Sequence, residues 1–150
     1  MKRHAFTMIE LIFVIVVLGI LASVAIPKMG SIMNSSMVAS AQGDVSAIRA
    51  SISRARQEQV LKGGNGYITK LTTAAAVTDG TPMFDGNGSI TLLTYPIYAK
   101  QKAGWYRTAA NVYTFSIDGS AANTATFTYT PANGRFDCTH TESLCKKIVE

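Results

Sequence analysis

The chain opens on an apolar run that is almost unbroken. From Phe6 to Ile26 it reads FTMIELIFVIVVLGILASVAI, and Glu10 is the only ionised side chain in it. A helix over those positions rises about 31 Å, the thickness of a bilayer's hydrocarbon core. A buried core helix in so small a chain would be shorter. Pro27 interrupts the pattern and Gly30 follows. An interior proline removes one backbone hydrogen bond and predicts a kink at that point. Beyond it the helical period resumes: Val38, Ala41, Val45, Ile48, Ile52 and Ala55 fall three or four positions apart, one stripe of an amphipathic helix. Asp44, Arg49, Arg54, Arg56 and Glu58 mostly lie off that stripe. One helix from Phe6 to about Gln59 would be roughly 80 Å long, so only its second half can pack on a small domain. Gly63, Gly64 and Gly66 should end it between Leu61 and Tyr67.

After the helix the period changes. Leu71 to Phe84 is rich in Thr and Ala, gives no clear repeat, and reads as a connection with one short element. Asp85-Gly86-Asn87-Gly88 is a turn signal. Three strand-like runs follow: Ile90 to Ala99, Asn111 to Ile117 and Thr124 to Thr130. The last alternates polar and aromatic positions, as a half-buried strand does. Asp118-Gly119-Ser120 and Asn133-Gly134 supply turns. With no helix between them, these strands predict an antiparallel meander. The fold class is therefore α+β, a long N-terminal helix packed on a small antiparallel sheet. No internal repeat is present.

Composition adds less than the pattern does. Of 150 residues, 47% are apolar and 15% charged, which excludes a disordered chain. The formal charge is +5, but Lys2 and Arg3 precede the apolar run, and without them 12 basic residues face 9 acidic ones. Basic residues stay on the cytoplasmic side, so the rest of the chain is expected outside the inner membrane. The only histidines are His4 and His140. A Ser-His-Asp or Cys-His site would have to be built on His140 alone, and no convergent set of acids, bases and nucleophiles supports an enzyme.

Three readings of the N-terminus compete. One is a plain membrane anchor; another is a secretory signal peptide cut after Ala25, with Ser23 and Ala25 as the small residues. Neither uses Glu10, a carboxylate that costs roughly 2.5–3.5 kcal/mol at the centre of a membrane span and is by default functional there. The segment KRHAFTMIELIFVIVVLGILASVAIP resembles the signal and first helix of type IV pilins and type II secretion pseudopilins. The resemblance rests on a short basic leader, a small residue before Phe6, the tract F-T-x-I-E-L, an unbroken apolar run and Pro27, which stands 21 residues after Phe6. Ala5 stands where the family usually has Gly. The order of elements is also pilin-like along the whole chain. The implied organisation is a leader at 1–5, a transmembrane and filament-core half-helix at 6–27, an amphipathic half-helix at 28–60, a connecting region at 61–89, and a sheet with a disulfide-closed tail at 90–150.

That resemblance implies a life history. A prepilin peptidase would cut between Ala5 and Phe6 and N-methylate Phe6. Glu10 would pair with the N-terminal amine of a neighbouring subunit, fixing register more than adding stability; otherwise it marks the membrane edge and snorkels toward headgroups. Partners would be copies of the chain and other pilins in a filament, the peptidase, and an inner-membrane assembly platform. The protein would begin as a single-pass inner-membrane protein with a periplasmic head and end in an extracellular or periplasmic filament, serving adhesion, motility, DNA uptake or secretion. The alternative is a membrane-anchored extracytoplasmic binding domain that never polymerises.

Four further constellations carry readings. Cys138 and Cys145, outside the cytoplasm, are expected to form a disulfide; the competing reading is a metal site with His140 and Asp137 or Glu142, which lacks close zinc spacing. In pilins such a bridge often bounds an exposed recognition loop, and major pseudopilins commonly lack it. Asp85, Asn87 and Ser89 alternate like the opening of a calcium loop, yet Ile90 and Pro96 stand where an EF-hand needs Gly and Glu; calcium stays open through the likeness to calcium-binding pseudopilins, and no other cofactor is expected. The same tract, Asp85-Gly86-Asn87-Gly88-Ser89, is similar to the extended acidic N-glycosylation sequon of some bacterial oligosaccharyltransferases, with Asn87 as acceptor; Asn34-Ser35-Ser36 shows how cheaply a bare sequon arises. Otherwise the tract is a hairpin turn. Lys100, Lys102, Trp105, Tyr106 and Arg107 mix cations with aromatics and could contact nucleic acid; solvated turn residues around a core Trp are the plainer reading. Gly64-x-Gly66 and Gly86-x-Gly88 do not make a nucleotide loop.

Overall fold

The computed structural model describes residues 6–75 and 77–150. The chain divides into two compact units between Ser36 and Met37, and the first helix, α1 (Met8–Leu61), runs through the division. The helical assignment continues through Pro27.

In the first unit every described residue from Phe6 to Ser36 is exposed. In the second unit the stripe is buried: Ala41, Val45, Ile48, Ile52 and Ala55 are at most 2% exposed, and Val38 packs against them part-buried. The glycine run stops the helix in a Schellman arrangement. Gly63 takes a left-handed φ of 84°, its N–H bonds the Val60 carbonyl at 3.0 Å, and the Gly64 N–H bonds the Gln59 carbonyl at 2.8 Å.

The head's main sheet is an antiparallel meander of four strands in chain order: β3 (Gly104–Ala109), β4 (Val112–Ser116), β5 (Thr124–Thr130) and β6 (Arg135–Cys138). A separate two-stranded ribbon pairs β1 (Pro82–Met83) with β2 (Ile97–Tyr98). A short helix, α2 (Ser143–Val149), closes the chain. β5 has the predicted bounds and alternation, with Ala125, Phe127 and Tyr129 inward. The β4 strand falls within the predicted Asn111–Ile117 run. Trp105, Tyr113, Phe84, Phe127 and Phe136 pack ring against ring between the sheet and the connecting region, an arrangement in which edge-to-face and offset pairs are favoured.

Two expectations are corrected. Ile90 to Ala99 is not one strand, because only Ile97 and Tyr98 pair. Pro96 cannot donate to a ladder, and the carbonyls of Thr91 and Leu92 accept instead from the Arg54 guanidinium at 2.7 and 2.8 Å. Ile90 and Leu92 still bury their side chains, from irregular backbone. Conversely, Gly104–Ala109 pairs along β4 as an edge strand. The connecting region is held by side-chain donors that satisfy its carbonyls in place of a ladder. The Tyr129 hydroxyl donates to the Ile68 carbonyl at 2.7 Å and Asn111 Nδ2 to the Thr69 carbonyl at 3.1 Å; in the reverse sense, Thr72 Oγ1 accepts the backbone N–H of Phe84 at 3.1 Å.

Candidate functional site

The first helical turn organises the N-terminal tract. Thr7 precedes the helix, and its Oγ1 accepts the Glu10 N–H at 3.3 Å while its hydroxyl donates to Glu10 Oε2 at 3.5 Å. The spacing is the Thr-x-x-Glu of a capping box, with the carboxylate meeting the Thr7 hydroxyl instead of the Thr7 N–H, and it places the carboxylate at the positive end of the helix dipole. Thr7 was part of the tract recognised in the sequence, but its capping role emerges from the hydrogen bonds. Phe6 is 74% exposed, and the apolar side chains after it are uncovered by the chain itself. This is one helix long and apolar enough to cross a membrane. Ala5, and with it the expected scissile bond and the rest of the leader at 1–5, lies outside the described residues.

At the other end of the chain, Cys138 of β6 and Cys145 of α2 are joined by a disulfide with their Cα atoms 5.9 Å apart, inside the range that a bridge requires. The metal reading is therefore corrected: both sulfurs are consumed, and among the described residues no group of three or more His, Cys, Asp or Glu side chains is placed to hold a metal. The bridged segment leaves Thr139, His140, Thr141 and Ser143 exposed and buries Leu144. Glu142 turns inward, its Oε2 accepting the Thr126 N–H at 2.7 Å where β6 no longer reaches β5.

Asp137 is the hub beside this loop. It accepts from Arg49 Nη2 at 3.2 Å and Arg135 Nε at 3.0 Å, and His140 Nε2 lies 3.5 Å away. Desolvation works to raise its carboxyl. The Arg135 hydrogen bond, the Cys138 N–H and the charges of Arg135 and Arg49 outweigh that and hold it below the usual carboxylate range. Arg49 also donates from Nε to the Phe136 carbonyl at 2.9 Å, so one α1 side chain occupies an acceptor of the edge strand β6.

The cation and aromatic residues do not form one surface. Trp105 is 1% exposed, and its Nε1–H donates to Asp44 Oδ2 at 2.9 Å. Arg107 spends its guanidinium on the carbonyls of Ala74, at 2.7 Å, and Ala75. Only Lys100 and Lys102 of the set are exposed, so the stacking platform read for nucleic acid is corrected to a core Trp and a loop clamp. The Asp44–Trp105 bond was not anticipated. Asp44 sits off the helical stripe, and nothing in the local sequence pairs it with Trp105.

Asp85 and Asn87 are drawn into a tight loop where their side-chain oxygens already have partners, and Ser89 stands exposed beside them. The Asp85 carboxylate accepts from the Thr73 N–H at 2.9 Å and from the Thr73 hydroxyl. Asn87 Oδ1 accepts from the N–H groups of Ser89 and Ile90 at 3.0 and 2.9 Å.

A family model described as the prokaryotic N-terminal methylation motif matches residues 1–26. Neither a curated protein nor a solved structure matches the chain. The match covers the basic leader, the Ala5-Phe6 junction, the Thr7–Glu10 cap and the apolar run as one unit, so the chain carries the prepilin motif by which type IV pilins and pseudopilins are recognised.

Proposed function

We propose that the protein is a structural subunit of a type IV pilus or a type II secretion-type pseudopilus, cut by a prepilin peptidase between Ala5 and Phe6 and assembled into a helical filament. One observation carries this: the prepilin motif at residues 1–26 is continuous with a described helix whose side chains, Phe6 to Ser36, are all uncovered. Twenty or so apolar side chains left in water would forfeit on the order of 1.5–3 kcal/mol each. A bilayer covers them before assembly, and neighbouring helices cover them after it. Glu10 is the exception in that run. Its carboxylate is tied to Thr7 and turned to the helix N-terminus, where the methylated amine of a neighbouring Phe6 would meet it. The disulfide-bounded segment, exposed at Thr139, His140, Thr141 and Ser143, favours the pilus branch. The protein does no chemistry in this role; force for assembly comes from other proteins.

The test is the mass of the N-terminal peptide of protein extracted from membranes. The expected peptide begins at Phe6 and is heavier by one methyl group. A peptide beginning at Ile26 would make the run an ordinary signal peptide and overturn the reading. An intact Met1 or Lys2 start would make it a plain anchor.

A further inference from the structure

The loop Asp85–Ser89 is used by nothing in the filament reading. From its geometry we infer that Asn87 is an N-glycosylation site, modified by an oligosaccharyltransferase that recognises an acidic residue two positions before the asparagine. The chain has two Asn-x-Ser tracts, and the structure separates them. Asn34-Ser35-Ser36 lies within α1, inside a continuous helix. A helical backbone cannot offer its asparagine side chain in the turned-out form that a transferase must grip. Asp85-Gly86-Asn87-Gly88-Ser89 lies in a surface loop, the setting an acceptor asparagine requires.

Within that loop the atoms are disposed for the reaction. Gly86 and Gly88 take positive φ values of 108° and 92° and turn the backbone on either side of Asn87. Asn87 Oδ1 is engaged by two backbone N–H groups. Its Nδ2, the atom that is glycosylated, donates to no acceptor among the described residues. The Ser89 side chain is exposed, and its hydroxyl is bonded to nothing among the described residues. Beside the pair opens a cleft of about 460 Å³ of mixed polar and apolar lining, with Gln59, Asn65 and Tyr67 among its walls, room for the first sugar against the helix end. The co-substrate is a polyprenyl-diphosphate-linked oligosaccharide on the outer face of the inner membrane. Asn87 Nδ2 attacks the anomeric carbon, the carbon–nitrogen bond forms, and the carbon–oxygen bond to the diphosphate breaks with its electron pair leaving on the lipid diphosphate. One Nδ2 proton passes to a base of the transferase.

The experiment is peptide mass spectrometry on full-length protein isolated from its native cells. The tryptic peptide Leu71–Lys100 is expected to carry an added oligosaccharide mass, and the peptide holding Asn34 none. Asn87→Gln and Ser89→Ala should each remove the addition. Ser89→Ala leaves the turn's hydrogen bonds in place, and a thermal melt equal to wild type shows that the fold is kept. An unmodified Leu71–Lys100 peptide overturns the proposal, as does an added mass that survives Asn87→Gln, which would place the sugar on a Ser or Thr hydroxyl of the peptide. Either failure leaves the filament reading untouched, because sheared-filament yield is measured separately.

Discussion

Replacing both Cys138 and Cys145 by alanine should lower the stability of the head by about 2.5 kcal/mol, the chain-entropy cost of an open eight-residue loop at 25 °C. The loss should stay near that figure because α2 has other anchors. Leu144 and Ile148 are 4% and 5% exposed in the core, and Gln42 Nε2 donates to the Lys147 carbonyl at 2.8 Å. Alanine also fits better than serine, since Cys145 is fully buried and a hydroxyl there would lack a partner. At about 4 °C per kcal/mol for a domain of this size, the midpoint should fall by about 10 °C. Trp105 is the only tryptophan and is buried among aromatic rings, so its fluorescence reports melting of the head in detergent-solubilised full-length protein. Reduced wild-type protein should melt with the variant. A variant melting within about 2 °C of oxidised wild type would refute the reasoning, as would two free thiols in protein purified without reductant.

Burial raises the Asp44 carboxyl against the downward pull of its Trp105 hydrogen bond. The head therefore favours protonated Asp44, a contribution present below the unfolded value near 4 and lost as pH rises through the folded value. Asp44→Asn keeps an acceptor for Trp105 and should flatten the melting curve's pH dependence just above pH 4; an unchanged slope would place that titration elsewhere. Asp137 has the opposite sign: its lowered carboxyl stabilises above the unfolded value and the benefit is lost as pH falls through the folded value. Asp137→Asn should thus cost stability at pH 7 and match wild type in strong acid, read by the same melt. Gly86→Ala would put a Cβ 1.9 Å from the Ile90 carbonyl oxygen at a φ of 108°, and should cost at least about 2 kcal/mol. A melt equal to wild type would refute the close approach of Gly86 to the Ile90 carbonyl.

The elements legible in the sequence are those whose signal repeats over many residues. The stripe from Val38 to Ala55 spans five turns, and each of its positions is buried or part-buried. β5 alternates cleanly over seven residues and was read at its own bounds. The β3 strand was hidden because its faces are not simply apolar and polar. Trp105 is core, but Arg107 is a clamp on the connecting region, and that mixture reads as a solvated turn. β6 and α2 are four and seven residues long, too short for a period to emerge. Ile90–Ala99 misled in the other direction, since apolar side chains can be buried from irregular backbone when a distant arginine satisfies the carbonyls. At the N-terminus the motif itself was legible. How Thr7 holds Glu10 depends on side-chain geometry, although the Thr-x-x-Glu spacing is its signature. The hub at Asp137 depends on Arg49, which is 88 positions away in the chain, and no local pattern encodes such a pair.

The central claim is assembly through Glu10, and sheared-filament yield against membrane abundance tests it directly. Cells lacking the native copy would carry wild type, Glu10→Asp or Glu10→Ala. Glu10→Ala makes the span more apolar, so membrane abundance should equal wild type. Its filament yield should fall sharply, because a neighbour's buried amine is left unpaired, at a cost of about 3–5 kcal/mol per interface. Glu10→Asp, which keeps the charge and shortens the reach, should fall between them. Glu10→Ala filaments as abundant as those of wild type would contradict the account and reduce Glu10 to a helix cap at the membrane edge.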